Sequence, residues 1–218
     1  MQPSNLTLAF DEPAPRSVML GPQAVVLQGF AASQAPALLA AIEDISRVAP
    51  FRRLVTPGGW TMSVAMTNCG EMGWLSDRSG YRYDTIDPLS GRAWPAMPLL
   101  FRELAVRAAA AAGFAAFAPQ ACLINRYQPG ARLSLHQDRD EGDLAAPIVS
   151  VSLGVPATFL WGGKTRPERP RRITVTHGDV AVWGGVDRLA FHGVHPLAQG
   201  THPLTGNLRY NLTFRKPR

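Results

Sequence analysis

Ile148-Val-Ser-Val-Ser-Leu-Gly-Val-Pro-Ala-Thr-Phe-Leu-Trp161 is the stretch that decides the fold. It holds two apolar runs, Ile148–Leu153 and Thr158–Trp161, parted by a glycine and a proline. Each run is too short for a helix and is bounded by turn formers, which is the signature of a buried strand. The same texture extends both ways, through Cys122–Tyr127, Ile173–Thr176, Val180–Trp183, Val194 and Leu208–Phe214. No helical period appears in this half. Many short strands with Gly and Pro punctuation imply a β-sandwich of jelly-roll type.

Upstream of Cys122 the pattern is mixed, so the fold class is α+β. Ala24–Leu27 reads as a strand. Ser33 is placed to cap a helix running to about Val48, with Leu38, Leu39, Ile42 and Ile45 on one face. Thr56-Pro-Gly-Gly59 is a turn, and Trp60 to Met66 reads as a strand. Asn68 to Gly91 reads as loop-rich, with Trp74, Tyr81 and Tyr83 in it. Met97 to Ala112 is a second helix, stopped by Gly113. Both helices are expected to cover the outer face of one sheet, because that face needs an apolar cover. Residues 1–22 read as an extended leader and 23–218 as a single domain, with its helix-containing part up to about 118 and its β part from 119.

The 218 residues are long enough to bury a core without disulfide or metal staples. Hydrophobic residues at 46% exclude a disordered chain. The cations number 22 against 16 acids, and 20 of them are arginine. A +6 balance leans toward an anionic partner, nucleic acid first, although a genome-wide compositional bias also explains the arginine excess. The two cysteines, Cys69 and Cys122, have no metal-binding spacing and fit a reduced, cytoplasmic protein. The first residues do not form a signal peptide, and no apolar stretch is long enough to span a bilayer. Nothing in the sequence calls for an obligate dimer.

His136-Gln-Asp138 places two ligand-type side chains two residues apart, on one face if the segment is a strand. His192 follows 56 residues later and offers a third. Two histidines and one carboxylate leave open positions on a metal and suit non-haem Fe(II). A His-x-Asp pair alone more often marks surface polarity, and the downstream histidine is what lifts it. His177, His195 and His202 lie in turns or beside prolines and read as loop histidines. Alternation along Arg209-Tyr-Asn-Leu-Thr-Phe-Arg215 puts Arg209, Asn211, Thr213 and Arg215 on one face. Turned inward, the two guanidiniums need an anionic partner such as a dicarboxylate. Turned outward, they would form the wet face of an edge strand. Asn125 and Tyr127 share a face at the end of another strand and offer hydrogen bonds to the same anion.

Leu123-Ile-Asn-Arg-Tyr127, the His136/Asp138 pair, His192 and the arginine pair Arg209/Arg215 together resemble the AlkB family. Thr56-Pro-Gly-Gly-Trp-Thr-Met-Ser-Val-Ala-Met-Thr-Asn-Cys69, Trp94-Pro-Ala-Met-Pro98 and Leu133-Ser-Leu-His-Gln-Asp138 extend the resemblance over nearly all of the chain after the leader. The resemblance implies a double-stranded β-helix with an N-terminal nucleotide-recognition extension. It implies Fe(II) held by His136, Asp138 and His192, which are also the catalytic set. It implies 2-oxoglutarate as cosubstrate with O₂, in a pocket of Leu123, Asn125, Tyr127, Arg209, Asn211 and Arg215. The implied reaction removes an N-methyl group from 1-methyladenine or 3-methylcytosine in DNA, single- or double-stranded, with RNA as a second candidate polymer. Formaldehyde, succinate and CO₂ are released. A damaged cationic base is cheap to extrude from a duplex.

Trp74 is the residue expected to stack on that base, with His136 opposite and Asp140 accepting from its exocyclic amine. Glu141 adds to the negative field. Thr56, Tyr81, Arg82 and Tyr83 are implied substrate contacts, together with Arg166 in the cation-rich Lys164–Arg172 loop. That loop also fits a solvated hairpin. Ala190 stands where the family commonly has a bulkier aromatic; no loss of iron binding is expected from it. Two other functions share parts of this residue set. A 2-oxoglutarate-dependent hydroxylase of a protein or small molecule needs the metal and cosubstrate residues but not Trp74, Asp140 or the basic loops. A non-catalytic nucleic-acid-binding module needs the basic surface alone.

Overall fold

The computed structural model describes residues 16–218. In chain order the elements are β1 (Ser17–Gly21), β2 (Ala24–Leu27), α1 (Ala35–Val48), β3 (Arg52–Val55), β4 (Thr61–Gly70), β5 (Gly73–Asp77), β6 (Gly80–Asp84), β7 (Ile86–Asp87), β8 (Arg92–Ala93) and α2 (Leu99–Ala111). They continue as β9 (Ala121–Tyr127), β10 (Leu133–His136), β11 (Ile148–Gly154), β12 (Ala157–Trp161), β13 (Arg171–Val175), β14 (Val180–Trp183), β15 (His192–Val194) and β16 (Arg209–Arg215). Eight strands form a major sheet in the order β1-β2-β14-β11-β16-β9-β4-β3, and four form a minor sheet in the order β10-β15-β12-β13. From β9 to β16 the chain passes repeatedly between the two sheets, which makes a jelly roll. No helix among the described residues is long and apolar enough to cross a membrane.

Two apolar layers hold this arrangement. Leu38, Ile42 and Ile45 of α1 and Phe101, Leu104 and Ala108 of α2 pack with Val149, Val151, Val182, Leu212 and Phe214. The helices therefore cover the outer face of the major sheet, as its alternation requires. The inner layer joins the two sheets through Leu123, Tyr127, Ile148, Phe159, Trp161, Val175, Trp183 and Val194. β16 lies between β11 and β9, paired along its length with both, so it is not an edge strand. Arg209, Asn211, Thr213 and Arg215 consequently turn inward and are all buried.

Four local expectations are corrected. Residues 1–15 of the expected leader lie outside the described residues, and the rest of it is not a leader: Ser17–Gly21 is strand β1, paired antiparallel with β2. Ser33 does not cap α1; it sits in a 3₁₀ turn, and the helix begins at Ala35 with no side-chain cap. Pro36 in its first turn removes one donor that a cap would otherwise serve. The stretch from Asn68 to Gly91 is not loop-rich: β4 runs on to Gly70, and the β5–β6 hairpin follows, with Trp74 opposite Tyr83. Finally, β10 ends at His136, so Asp138 and Asp140 lie in an irregular segment and strand alternation does not place them. The C-terminus of α2 is as read: Gly113 adopts φ +88, and the Phe114 and Gly113 amides donate to the Ala109 and Ala110 carbonyls.

Candidate metal and cosubstrate site

The minor sheet brings two histidines together first. His136 ends β10 and lies opposite His192, the first residue of β15. Their rings are 4.5 Å apart. Asp138 places one carboxylate oxygen 3.7 Å from His136 Nε2 and the other 3.7 Å from His192 Nε2. One ligand-type atom from each of the three residues lies within 4.8 Å of the others. Each ring also turns its Nδ1 toward a backbone carbonyl: His136 toward Ser134 at 2.8 Å and His192 toward Ala190 at 3.0 Å. A carbonyl only accepts, so the proton sits on Nδ1 and the Nε2 lone pair is free to bind a metal. Burial and the neighbouring His136 push His192 down to about 4, so it is neutral at physiological pH. Burial alone would raise the Asp138 carboxyl, but the Arg215 guanidinium and the two histidines hold it well below the usual range. Two imidazoles presenting Nε2 and one carboxylate form the donor set that suits Fe(II). Ala190 is buried, and its carbonyl serves His192, so its small side chain leaves this hydrogen bond in place.

The major sheet supplies the opposite wall. Arg209 is 2% exposed and donates from Nη2 to Ser152 Oγ at 3.0 Å. Its Nε and Nη1, and the Tyr127 hydroxyl, have no hydrogen-bond partner among the described residues. The Arg209 guanidinium lies over the Tyr127 ring at 4.8 Å. Burial lowers the Arg209 pKa and raises that of Tyr127. Buried donors without acceptors are costly, about 1–3 kcal/mol each, and a carboxylate from a bound dicarboxylate fits all three. Asn125 donates to Asn211 Oδ1 at 3.0 Å, and Asn211 donates to Ser150 Oγ at 2.8 Å and to the Val151 carbonyl. Leu123 lies on the same inner face of β9. Arg215 turns instead to the metal-ligand side and donates to Asp138 Oδ2 from Nε at 3.0 Å and from Nη2 at 2.8 Å.

The remaining candidates gather on the β5–β6 hairpin and the loop after Asp138. Trp74 is half-buried, and its indole N–H donates to Asp140 at 3.3 Å. Tyr81 stacks on Trp74 with centroids 5.6 Å apart. Tyr83 donates to the buried Glu141 carboxylate at 2.5 Å. Arg82 pairs with Asp77 at 2.7 Å, and Asp77 is held at about 2 by hydrogen bonds from Ser79 and Arg82. Thr56 opens the tight turn that ends at Trp60 and accepts from the Trp60 amide. Arg166 is exposed in the β12–β13 loop, apart from the other candidates' contacts.

Three partners escaped the reading of the sequence. Ser150 and Ser152 were visible as small polar residues alternating inside an apolar run, and they serve Asn211 and Arg209. Arg188 is 3% exposed and donates to the Asp138 and Ala146 carbonyls and to Glu141. Nothing in its local sequence sets it apart from any surface arginine.

Comparison with known proteins agrees with this geometry. A family model for the 2OG-Fe(II) oxygenase superfamily matches residues 23–215. The chain is 58% identical over 207 residues to the alpha-ketoglutarate-dependent dioxygenase AlkB of Salmonella typhimurium, covering 95% of this chain and 96% of that one. It is 40% identical over 110 residues to the DNA N(6)-methyladenine demethylase ALKBH1D of Arabidopsis thaliana, over 44% of this chain and 24% of the relative. A solved structure of OsALKBH1 superposes with a TM-score of 0.81 at 28% identity, covering 92% of this chain and all of that one. With the His-Asp-His cluster on one wall and the unpartnered Arg209 donors on the other, the chain belongs to the 2OG-Fe(II) oxygenase superfamily and, within it, to the AlkB family of alpha-ketoglutarate-dependent dioxygenases.

Proposed function

We propose that this enzyme removes N-methyl groups from 1-methyladenine and 3-methylcytosine in DNA, with RNA as a second substrate, and that it acts as a monomer in the cytoplasm. The observation that carries the reading is the juxtaposition of two features. A carboxylate-shaped set of buried donors faces the His136/Asp138/His192 cluster, and an aromatic-and-acid pair, Trp74 with Asp140, stands on the hairpin beside it. Iron(II), 2-oxoglutarate and O₂ together supply the oxidation of an N-methyl C–H bond, with succinate, CO₂ and formaldehyde as products.

The chain's own residues bind and orient. His136 and His192 present Nε2, and Arg215 fixes the Asp138 carboxylate by a two-point hydrogen bond. Arg209 and Tyr127 receive the distal carboxylate of the cosubstrate, while Asn125, Asn211 and Leu123 shape its pocket. Trp74 offers a ring face to the cationic base, worth about 1–3 kcal/mol for a stacked base. Asp140 accepts from the exocyclic amine and favours a base that carries positive charge. Thr56, Tyr81, Arg82 and Arg166 contact the phosphate backbone. The two buried thiols, Cys69 and Cys122, are free, as in a reducing compartment.

The test is formaldehyde release under air from an oligonucleotide bearing one 1-methyladenine, with Fe(II), 2-oxoglutarate and ascorbate. Formaldehyde stoichiometric with the lesion, and absent in His136→Ala, is the expected result. Succinate without formaldehyde would sink the nucleic-acid assignment and point to a protein or small-molecule hydroxylase. Neither product from metal-loaded protein would leave only a binding module.

A further inference from the structure

Glu141 lies three residues past Asp138, and its buried carboxylate faces three donor side chains, two of them hydrogen-bonded to it and the third an ion-pair neighbour. Tyr83 Oη donates to Oε1 at 2.5 Å, Arg188 Nη2 reaches Oε2 at 3.1 Å, and Arg215 Nε lies 3.3 Å from Oε1. Two of those donors also hold Asp138. Arg215 grips its carboxylate, and Arg188 Nη1 donates to its backbone carbonyl at 2.5 Å. Arg188 Nε donates in addition to the Ala146 carbonyl, so this one guanidinium pins both ends of the 138–146 segment. It stands four residues before His192 and thereby ties the two stretches that carry the metal cluster.

The hairpin enters through Tyr83. Trp74 and Tyr83 are directly opposed on β5 and β6, so their side chains share a face. That face grips two consecutive acids, Asp140 through Trp74 and Glu141 through Tyr83. A base that takes Asp140 as its acceptor shares that carboxylate with the Trp74 indole N–H. The Tyr83–Glu141 bond is the second link between hairpin and metal loop. We propose that Tyr83, Glu141 and Arg188 are positioning residues that couple the seating of the β5–β6 hairpin to the orientation of the Asp138 carboxylate. This rests on the proposed role of Asp138 as a metal ligand. It assigns Tyr83 and Glu141 to the support of the site rather than to contact with the substrate. Without the Tyr83 hydroxyl, Glu141 Oε1 keeps only Arg215, which is drawn off Asp138.

The experiment uses the full chain with 2-oxoglutarate and reads Mn(II) binding from the paramagnetic signal of the free ion, with and without a 1-methyladenine oligonucleotide. In the wild type the oligonucleotide changes the Mn(II) affinity, by the same factor as Mn(II) changes that for the oligonucleotide, because coupling between two sites is reciprocal. Tyr83→Phe, which keeps the ring, weakens Mn(II) binding about tenfold and loses the response to the oligonucleotide. Glu141→Gln gives the same result, and Arg188→Lys, which keeps the charge but not the fork, falls between. A merely structural role would lower the unfolding temperature and leave Mn(II) affinity where it was. The inference is overturned if Tyr83→Phe binds Mn(II) within about twofold of wild type and still responds to the oligonucleotide. It is also overturned if the wild type shows no response. Should Glu141→Gln not fold, Tyr83→Phe decides alone. Formaldehyde release by the wild type separates the two proposals. Its absence with the metal coupling intact defeats the demethylase reading, and its presence without the coupling defeats only the positioning role.

Discussion

At the scale of single residues, Arg209 is the most exposed to test. Its guanidinium is buried, and its Nε and Nη1 have no partner among the described residues, so it destabilises the ligand-free protein and is offset when a carboxylate arrives. Arg209→Met removes that buried charge and keeps most of the volume. The ligand-free variant therefore unfolds at the wild-type temperature or above it. Wild type with Mn(II) gains about 2.7 kcal/mol when 2-oxoglutarate is present at about one hundred times its dissociation constant. The variant gains nothing at the same concentration. Calorimetric scans of both proteins, with and without 2-oxoglutarate, decide it; an undiminished gain in the variant would remove Arg209 from the cosubstrate pocket. That Arg209, Asn211, Thr213 and Arg215 share one face of β16 was legible because alternation assigns it. That the face turns inward was not legible, because it depends on β16 lying between β11 and β9. Nor was the wall that each arginine serves, because Arg209 and Arg215 share a face and differ only in what lies opposite: Ser152 for one, Asp138 for the other. Arg188 was invisible, since its three acceptors are two backbone carbonyls and a carboxylate 47 residues away in sequence.

At the scale of elements, the hairpin and the loops around β11 behave differently from the strands. The runs Cys122–Tyr127, Ile148–Leu153 and Val180–Trp183 were legible because their strands are buried along nearly their whole length and read as continuous hydrophobic stretches. β5 and β6, Gly73–Asp77 and Gly80–Asp84, were not, because they carry Trp, Tyr, Arg, Ser and Asp with no apolar run. Their strand geometry comes from mutual pairing and from Gly73, where a Cβ would run into the Trp94 indole. β1 escaped for a related reason: it is an outer strand whose partner β2 carries the hydrophobic signal. The loop histidines also have a measurable role. His177 stacks on His202 at 4.2 Å, and its Nδ1 accepts from the Gly154 amide at 3.0 Å, at the end of β11. Burial, and then the charge of His202, hold its pKa below the usual 6.5. The unfolded chain therefore takes the proton first, so this contribution is present above about pH 6.5 and is lost as the pH falls below it. Denaturant midpoints at about pH 7.5 and about pH 5.5 should differ less in His177→Asn than in wild type. An unchanged difference would show that the pair is electrostatically inert.

At the scale of the whole molecule, the two sheets divide the work. The minor sheet carries both histidines, the major sheet carries Arg209 and Arg215, and the helices stay behind the major sheet, away from the chemistry. This division follows from the jelly roll, whose chain crosses between sheets so that sequence-distant strands face one another. The same topology leaves the β12–β13 loop standing out from the minor sheet, with Lys164, Arg166, Arg169 and Arg172 exposed. Glu168, the one acid there, is turned to Thr165 at 2.6 Å, and Arg171 is turned to the Leu20 carbonyl at 3.0 Å. Four cations on a hairpin that follows β12, whose Trp161 pairs with His192, meet either a phosphate backbone or solvent alone. Salt separates the two. Each phosphate contact to single-stranded DNA adds about 0.7 to the slope of log affinity against log salt. The combined variant Arg166→Ala, Arg169→Ala, Arg172→Ala should therefore lower that slope by up to about 2. Its rate of formaldehyde release at saturating oligonucleotide should stay at the wild-type value, because none of the three approaches the metal cluster. A slope equal to wild type would return the loop to solvent and place the nucleic-acid contacts on the Thr56 turn and the β5–β6 hairpin alone.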